Sequence, residues 1–391
     1  MVIAGETSGD MLAAELVREL RARLQERPTY SNDLQPLQAD LAPRFFGAGG
    51  PRMAEAGVEL AFDMTSHAVV GLPGLKHLFR LRSLSKQLLQ IATDHEPHAI
   101  IFVDYSEFNH RLACAIKQFV RARQGAFFDW QPRLIKYVSP QVWASREGRA
   151  WQTAEDFDLL LSIFPFEKDW YAARVPKLRV EFVGHPMLDR YPSAELAGTT
   201  SVGGSPSVVL LPGSRQAELE RHLPVMLEAL KIIQSTLPAI VATIVLPTED
   251  LAHTARGLSP AGVTIKVGGL AETLRTATIA IASTGTVTME CALFGIPTVT
   301  LYKTSWITYQ IGRRLIKVKW LTMPNLLANE AIFPEFIQND ATPANLSRAA
   351  LELLRDEPRR QHVRVKLAKI IATLGGPGAS QRAARAIVGV L

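Results

Sequence analysis

Cysteine is nearly absent: Cys114 and Cys291 are the two in 391 residues, and they form no CxxC pair. That excludes a disulfide scaffold and points to a reduced, cytosolic chain. Long apolar runs are missing as well. None reaches about 18 residues, the length that spans a bilayer, and the N-terminus lacks the charged, apolar and cleavage regions of a signal peptide. If a membrane matters, the chain lies on it rather than crossing it. No basic tract with interleaved aromatics and no zinc-finger spacing occurs, so nucleic acid is not an expected partner. The charge is nonetheless basic, 43 Lys+Arg against 37 Asp+Glu for a net +6, which suits anionic lipids or phosphorylated substrates. The nine histidines and two cysteines form no ligand set, so no metal is expected.

What is present is ordinary globular material, 47% hydrophobic and 20% charged, in a chain too long for one core. The first half alternates short apolar runs with helical patterns: MVIAG, HAIIFVD, LIKYVS, DLLLSIF and VEFVG, with helices such as MLAAELVRELRARL between them. A second series follows from SVVLLPGS through AIVATIVLP, VTIKVG and ATIAIAS to TVTLYK. Strands alternating with helices predict α/β units with parallel sheets, whose ligands gather at the carboxyl ends of the strands. Between the series, residues 192–207 are rich in Gly, Ser, Thr and Pro and read as a linker. The expected division is therefore residues 1–191, the linker, residues 208–376, and a closing helix at 377–391 that crosses back or swaps between two chains. Two Rossmann-like halves joined in this way are expected to face a cleft. Residues 27–43 and 123–133 read as surface insertions, and the shortness of the first strand leads us to expect a few residues upstream of Met1.

Two strand-to-helix turns in the second half are built for anions. In ASTGTVTMECALFG, small residues separate a buried strand from a short helix carrying Glu290. Such a turn aims unpaired amides and a helix dipole at its occupant, of which phosphate is the commonest, although small residues also serve close helix–sheet packing. In LLPGSRQAELERH, Arg215 follows the Gly-Ser turn, where a guanidinium can pair two oxygens of a diphosphate or simply pair Glu218 on the helix. Asp104 ends the strand in IIFVDYSEF and reads either as a general base or as the cap of the next helix.

The motifs AGETSGD, YVSPQVWASREGR, FPFE, VGHP, LLPGSRQAE, STGTVTMECAL and LTMPNLLANE, in this order, resemble the lipid-A-disaccharide synthase family over nearly the whole chain. The resemblance implies a GT-B fold without cofactor or catalytic metal. It implies transfer of 2,3-diacylglucosamine from UDP-2,3-diacylglucosamine to 2,3-diacylglucosamine 1-phosphate, giving a β-1,6 disaccharide and UDP. Carried over residue by residue, Asp104 is the base, and Glu6, Ser8 and Asp10 shape the acceptor side. Ser214, Arg215, Ser283, Thr284, Gly285, Thr286, Glu290 and Asn325 bind UDP, Glu290 at the ribose, where its carboxylate has no evident partner in the sequence. For Ser8 and Asp10 helix capping stands as the alternative, and for Asn325 turn formation. His185 in VGHP sits before the linker and is given no chemistry. The family reads more like DAPDF where this chain has DYSEF, and AGEASGD where it has AGETSGD, which leaves the role of Glu107 open.

Residues 67–90 set Val69, Val70, Leu72, Leu75, Leu78, Phe79 and Leu81 among Lys76, His77, Arg80, Arg82 and Lys86. The pattern describes either a helix packed on a sheet or an apolar face edged with cations for an anionic leaflet. The resemblance implies the second, on the inner face of the cytoplasmic membrane; it leaves a homodimer open. A UDP-sugar 2-epimerase of similar fold and a non-catalytic lipid- or nucleotide-binding relative are the competing readings.

Overall fold

The computed structural model describes residues 1–25, 42–65, 75–125, 127–191 and 206–391, with backbone alone for residues 75–79. The chain forms two compact units, Met1–Arg190 with Leu374–Leu391, and Tyr191–Thr373.

In the first unit, β1 (Val2–Ala4), β2 (Phe46–Gly49), β3 (Glu59–Asp63), β4 (Ala99–Val103), β5 (Arg133–Tyr137), β6 (Leu159–Ser162) and β7 (Arg179–Phe182) make a sheet ordered β3-β2-β1-β4-β5-β6-β7. Every pair is parallel. Helices cover both faces, so the central strands are apolar throughout rather than alternating. Ile3, Ile100, Phe102 and Leu134 share a core with Leu88, Leu112 and Ile116 of helices Leu75–His95 and Ser106–Arg123. Leu81, expected on a lipid-facing stripe, instead packs partly buried against that core. Val69, Val70 and Leu72 lie outside the described residues, as do the side chains of Leu75, Leu78 and Phe79.

In the second unit, β8 (Ser207–Leu211), β9 (Val241–Leu246), β10 (Thr264–Val267), β11 (Ile279–Ser283), β12 (Thr298–Tyr302) and β13 (Glu335–Ile337) are ordered β10-β9-β8-β11-β12-β13, again all parallel. The period of two divides β8: Val208 and Leu210 pack with Leu219 and Leu223 of helix Gln216–Thr236. Val209 and Leu211 face Cys291 and Leu367 on the other side. Most of the expected linker, residues 192–205, lies outside the described residues.

The last helix, Ala379–Val388, belongs to the first unit and packs on helix Thr7–Gln25. Asp189 caps it, accepting from the amides of Gly378, Ala379 and Ser380 at 2.5, 3.2 and 3.1 Å. Arg382 donates from Nε to the Val183 carbonyl at 2.7 Å. A charged cap and a guanidinium thus hold a segment nearly two hundred positions away in sequence.

Glu167, from FPFE, is fully buried. It accepts from Trp143 Nε1 at 3.0 Å and from the Phe164 amide at 3.2 Å, joining that motif to YVSPQVWASREGR. Burial pushes its carboxyl up from 4.5 to about 7, against the pull of those hydrogen bonds. Between these values the folded chain holds a proton that the unfolded chain has lost. The stability from this group is therefore complete below 4.5 and lost as the pH rises to about 7. Glu167→Gln removes the titration. Scanning calorimetry of both proteins should show wild type losing up to about 3 kcal/mol relative to the variant across that window, then no further change. A pH-independent difference would mean that Glu167 titrates normally.

Candidate functional site

Strand order reverses between β1 and β4, and again between β8 and β11. Connections leave these neighbours in opposite directions, so their carboxyl ends open into a crevice. The registers set Ala4 beside Val103 and Leu211 beside Ala282. The residues that follow, Gly5 with Asp104 and Pro212 with Ser283, are the ones the motifs singled out.

In the first unit, helix Thr7–Gln25 starts against Asp104: a Cβ built on Gly9 would stand 3.5 Å from the Asp104 Cβ. Asp104 and Tyr105 both adopt left-handed backbone, φ +49° and +43°. Each non-glycine residue there costs on the order of 1–2 kcal/mol, so surrounding bonds must hold it. Three do. The Asp104 amide donates to the Tyr137 carbonyl at 2.8 Å, and its carbonyl accepts from Asn109 Nδ2 at 2.6 Å and from the Lys136 ammonium. The half-buried carboxylate accepts no hydrogen bond among the described residues, and Tyr105, not Asp104, occupies the cap position of helix Ser106–Arg123. The capping alternative therefore lacks its bond, and the side chain is left available for a proton.

Lys136 was not among the candidate residues. It is completely buried, and burial pushes its ammonium down from 10.5 to about 7, with the Asp104 charge opposing. The signal was a lone lysine in LIKYV, a strand covered on both faces.

The other first-unit candidates divide. Ser8 is exposed and Glu6 half-buried, its carbonyl accepting the Asp10 amide at 2.8 Å. Asp10 takes the capping role that stood as its alternative. It is 1% exposed and accepts from the amides of Gly50, Arg52 and Met53 at 2.8, 3.0 and 3.1 Å, capping helix Pro51–Glu55. Glu107 is an exposed carboxylate pulled down by Arg149, 2.7 Å away, and by Arg111 at 3.3 Å. His185 is buried and pushed down to about 4; its Nδ1 accepts the Met187 amide at 3.2 Å.

In the second unit, Gly213 has φ +126°, and a Cβ there would stand 2.5 Å from Glu218 Oε2. That oxygen accepts the exposed Ser214 amide at 3.2 Å. Arg215 occupies the position before helix Gln216–Thr236 without a side-chain capping bond, its side chain 51% exposed and 3.6 Å from Glu218. The pairing is loose and exposed, so little holds the guanidinium there against a phosphate. His222, unassigned from sequence, is fully buried and ties this turn to the end of β12. Its Nδ1–H donates to the Pro212 carbonyl at 2.8 Å while Nε2 accepts the Lys303 amide at 3.0 Å. Nε2 also lies 3.1 Å from the Lys303 carbonyl, and burial pushes the ring's pKa down, favouring its neutral form.

At the turn after β11, Ser283 is buried and Thr284 donates its amide to the Leu301 carbonyl at 3.2 Å. Gly285, φ +135°, has open space where a Cβ would go, and exposed Thr286 begins helix Thr286–Leu293. Backbone conformation, not crowding, requires that glycine. Two helix N-termini thus follow the neighbouring strands β8 and β11, an arrangement that favours a polyanion.

For Glu290 the premise behind the UDP assignment is corrected, and for Asn325 the assignment itself. Glu290 does have a partner: the Tyr191 hydroxyl donates to it at 3.0 Å, and the Tyr191 ring lies edge-on to Phe294 at 5.1 Å. Asn325 is completely buried and saturated. Its Nδ2 donates to the Phe333 carbonyl and Glu335 Oε1, both at 2.8 Å, and its Oδ1 accepts from the amides of Ile332 and Phe333 at 2.9 and 2.8 Å. Nothing remains for a nucleotide; Asn325 joins helix Met323–Ala328 to the loop before β13.

Comparison with known proteins supplies what geometry alone does not. A lipid-A-disaccharide synthetase family model matches residues 1–388. A lipid-A-disaccharide synthase of Trichlorobacter lovleyi is 35% identical over 402 residues, covering 100% of this chain and 97% of that protein. Among solved structures, the glycotransferase of kitacinnamycin superposes with TM-score 0.59 at 18% identity, covering 99% of this chain and 97% of its own. A UDP-GlcNAc 2-epimerase from Neisseria meningitidis, bound to UDP-GlcNAc, gives 0.59 at 11% identity, with 97% of both chains covered. The structural likenesses establish the architecture and do not separate transferase from epimerase; the sequence relationship does. The chain belongs to the lipid-A-disaccharide synthetase family and is a hexosyltransferase of GT-B architecture.

Proposed function

We propose that the chain transfers 2,3-diacylglucosamine from UDP-2,3-diacylglucosamine to 2,3-diacylglucosamine 1-phosphate, with inversion at the anomeric carbon. The acceptor 6-oxygen bonds to that carbon as its proton passes to Asp104, and the carbon–oxygen bond to UDP breaks with its electron pair on the phosphate. The observation that carries this reading is Asp104 itself: a strand-end carboxylate with its backbone fixed from three sides and its side chain making no hydrogen bond among the described residues.

Charge on departing UDP is met by the Arg215 guanidinium and by the amides that open helices Gln216–Thr236 and Thr286–Leu293. Ser214, Ser283, Thr284, Gly285 and Thr286 line that polyanion site, and Glu290, oriented by Tyr191, accepts from the ribose hydroxyls. Glu6 and Ser8 contribute to the acceptor side. The acylated substrates place the enzyme on the inner face of the cytoplasmic membrane, with residues 69–79 as the contact.

Asp104→Asn should lower turnover by about two to four powers of ten, the range for loss of a general base, while UDP affinity stays unchanged. Near-normal turnover would remove Asp104 from the mechanism. The assay combines UDP-diacylglucosamine with the acyl-sugar phosphate and follows UDP release; conversion of soluble UDP-GlcNAc instead would favour an epimerase.

On the donor side, Arg215→Ala should weaken UDP binding by about 1.5 kcal/mol, the lower end for a charge-assisted contact because the guanidinium is half exposed. Glu290→Ala should weaken UDP but leave binding of inorganic pyrophosphate unchanged. Calorimetry showing unaltered UDP affinity in both variants would move the nucleotide elsewhere.

A further inference from the structure

Helix Trp306–Leu315 follows β12 and buries none of its side chains. Its start is fixed locally: the Ser305 hydroxyl accepts the Thr308 amide at 3.2 Å. Ile307, Ile311 and Leu315, four apart, form one stripe that is 63, 56 and 41% exposed, with Trp306 beside it at 70%. An apolar stripe left to water at this density marks a surface that something covers.

Charge indicates what does. From Lys303 to Asn329 the chain carries five cations, Lys303, Arg313, Arg314, Lys317 and Lys319, and no aspartate or glutamate. Arg313, Arg314, Lys317 and Lys319 are exposed, and none is ion-paired among the described residues. The Lys319 ammonium rests 4.5 Å from the centre of the Trp320 ring. A second copy of this basic chain meeting the same face about a two-fold axis would set cation against cation. An anionic bilayer satisfies both features at once, taking the apolar stripe among its acyl chains and the cations at its phosphates.

We propose that helix Trp306–Leu315 and the cations that follow it form a docking surface for an anionic lipid bilayer, carried by the second unit. The proposal concerns a different stretch of the sequence from residues 69–79 and rests neither on that segment nor on the role of Asp104.

The test is co-sedimentation of the full chain with phosphatidylglycerol-rich and with pure phosphatidylcholine vesicles. One variant combines Trp306→Ser, Ile307→Ser, Ile311→Ser and Leu315→Ser; a second combines Arg313→Glu, Arg314→Glu, Lys317→Glu and Lys319→Glu. A third, Val69→Ser with Val70→Ser and Leu72→Ser, reports on the other segment. The first two should each bind anionic vesicles about tenfold or more weakly, at an unchanged melting temperature and with unchanged UDP affinity. Undiminished vesicle binding in both overturns the proposal, and the third variant then shows whether residues 69–72 carry the membrane contact instead. Loss of a dimer in sedimentation velocity with vesicle binding intact also overturns it, giving the face to a second copy. A fall in melting temperature without loss of vesicle binding overturns it by showing the stripe packed.

Discussion

The site depends on one constraint of parallel sheets: every return to the next strand must be made by a crossover, and where the strand order reverses two crossovers must diverge. β1 and β4 part in this way, and so do β8 and β11. At each parting the sheet cannot cover its own carboxyl edge, so helix starts and bare turns remain there. Gly5, Gly9 and Asp104 occupy one such edge, and Gly213, Arg215 and Gly285 the other. The small residues are there because the backbone must turn sharply and come close, and the charged ones stand where the proposed ligand would meet them.

The polar side chains described above differ in whether their hydrogen-bonding capacity is consumed. Asp10 spends its carboxylate on three amides, and Asn325 uses all four of its positions. Asp189 closes the last helix, and His222 bridges two turns. Leaving buried Asp10, Asn325 or His222 unpaired would cost on the order of 1–3 kcal/mol, which is reason enough for their pairing. Asp104 and Arg215 are different: their side chains keep capacity that the described fold does not use, and ligand chemistry belongs to groups of that kind.

Sequence showed the central architecture because the inner strands of a doubly covered parallel sheet are apolar runs: HAIIFVD, LIKYV, SVVLL and ATIAIA are the middles of the two sheets. It did not show β2, β3 or β13. β2 is half glycine, β3 is a sheet-edge strand with no buried residue, and β13 is three residues long. The strand-end position of Asp104 was legible, since a strand that ends in aspartate puts it at the carboxyl edge. The partners of Asp10 and Asn325 were not legible because a motif gives residue types and spacing but not which amides lie opposite; Asp10's partners are some forty positions away. Tyr191, the partner of Glu290, lies 99 residues before it and adjoins the linker-like stretch.

The departure from the family pattern at DYSEF acquires a physical meaning. A Cβ on Gly5 would stand 2.3 Å from the Tyr105 Cδ1, so the tyrosine ring lies directly on the first turn, with Phe108 beside it at 5.6 Å. A smaller residue at this position would leave that turn uncovered. The ring also follows Asp104 through two consecutive left-handed residues, and Lys136 braces the carbonyl between them from beneath the sheet edge. Tyr105 above and Lys136 below therefore restrain the same short stretch, one by packing and one by a buried charge. The Asp104 backbone is thus fixed while its carboxylate takes no hydrogen bond among the described residues, as the proposed base requires.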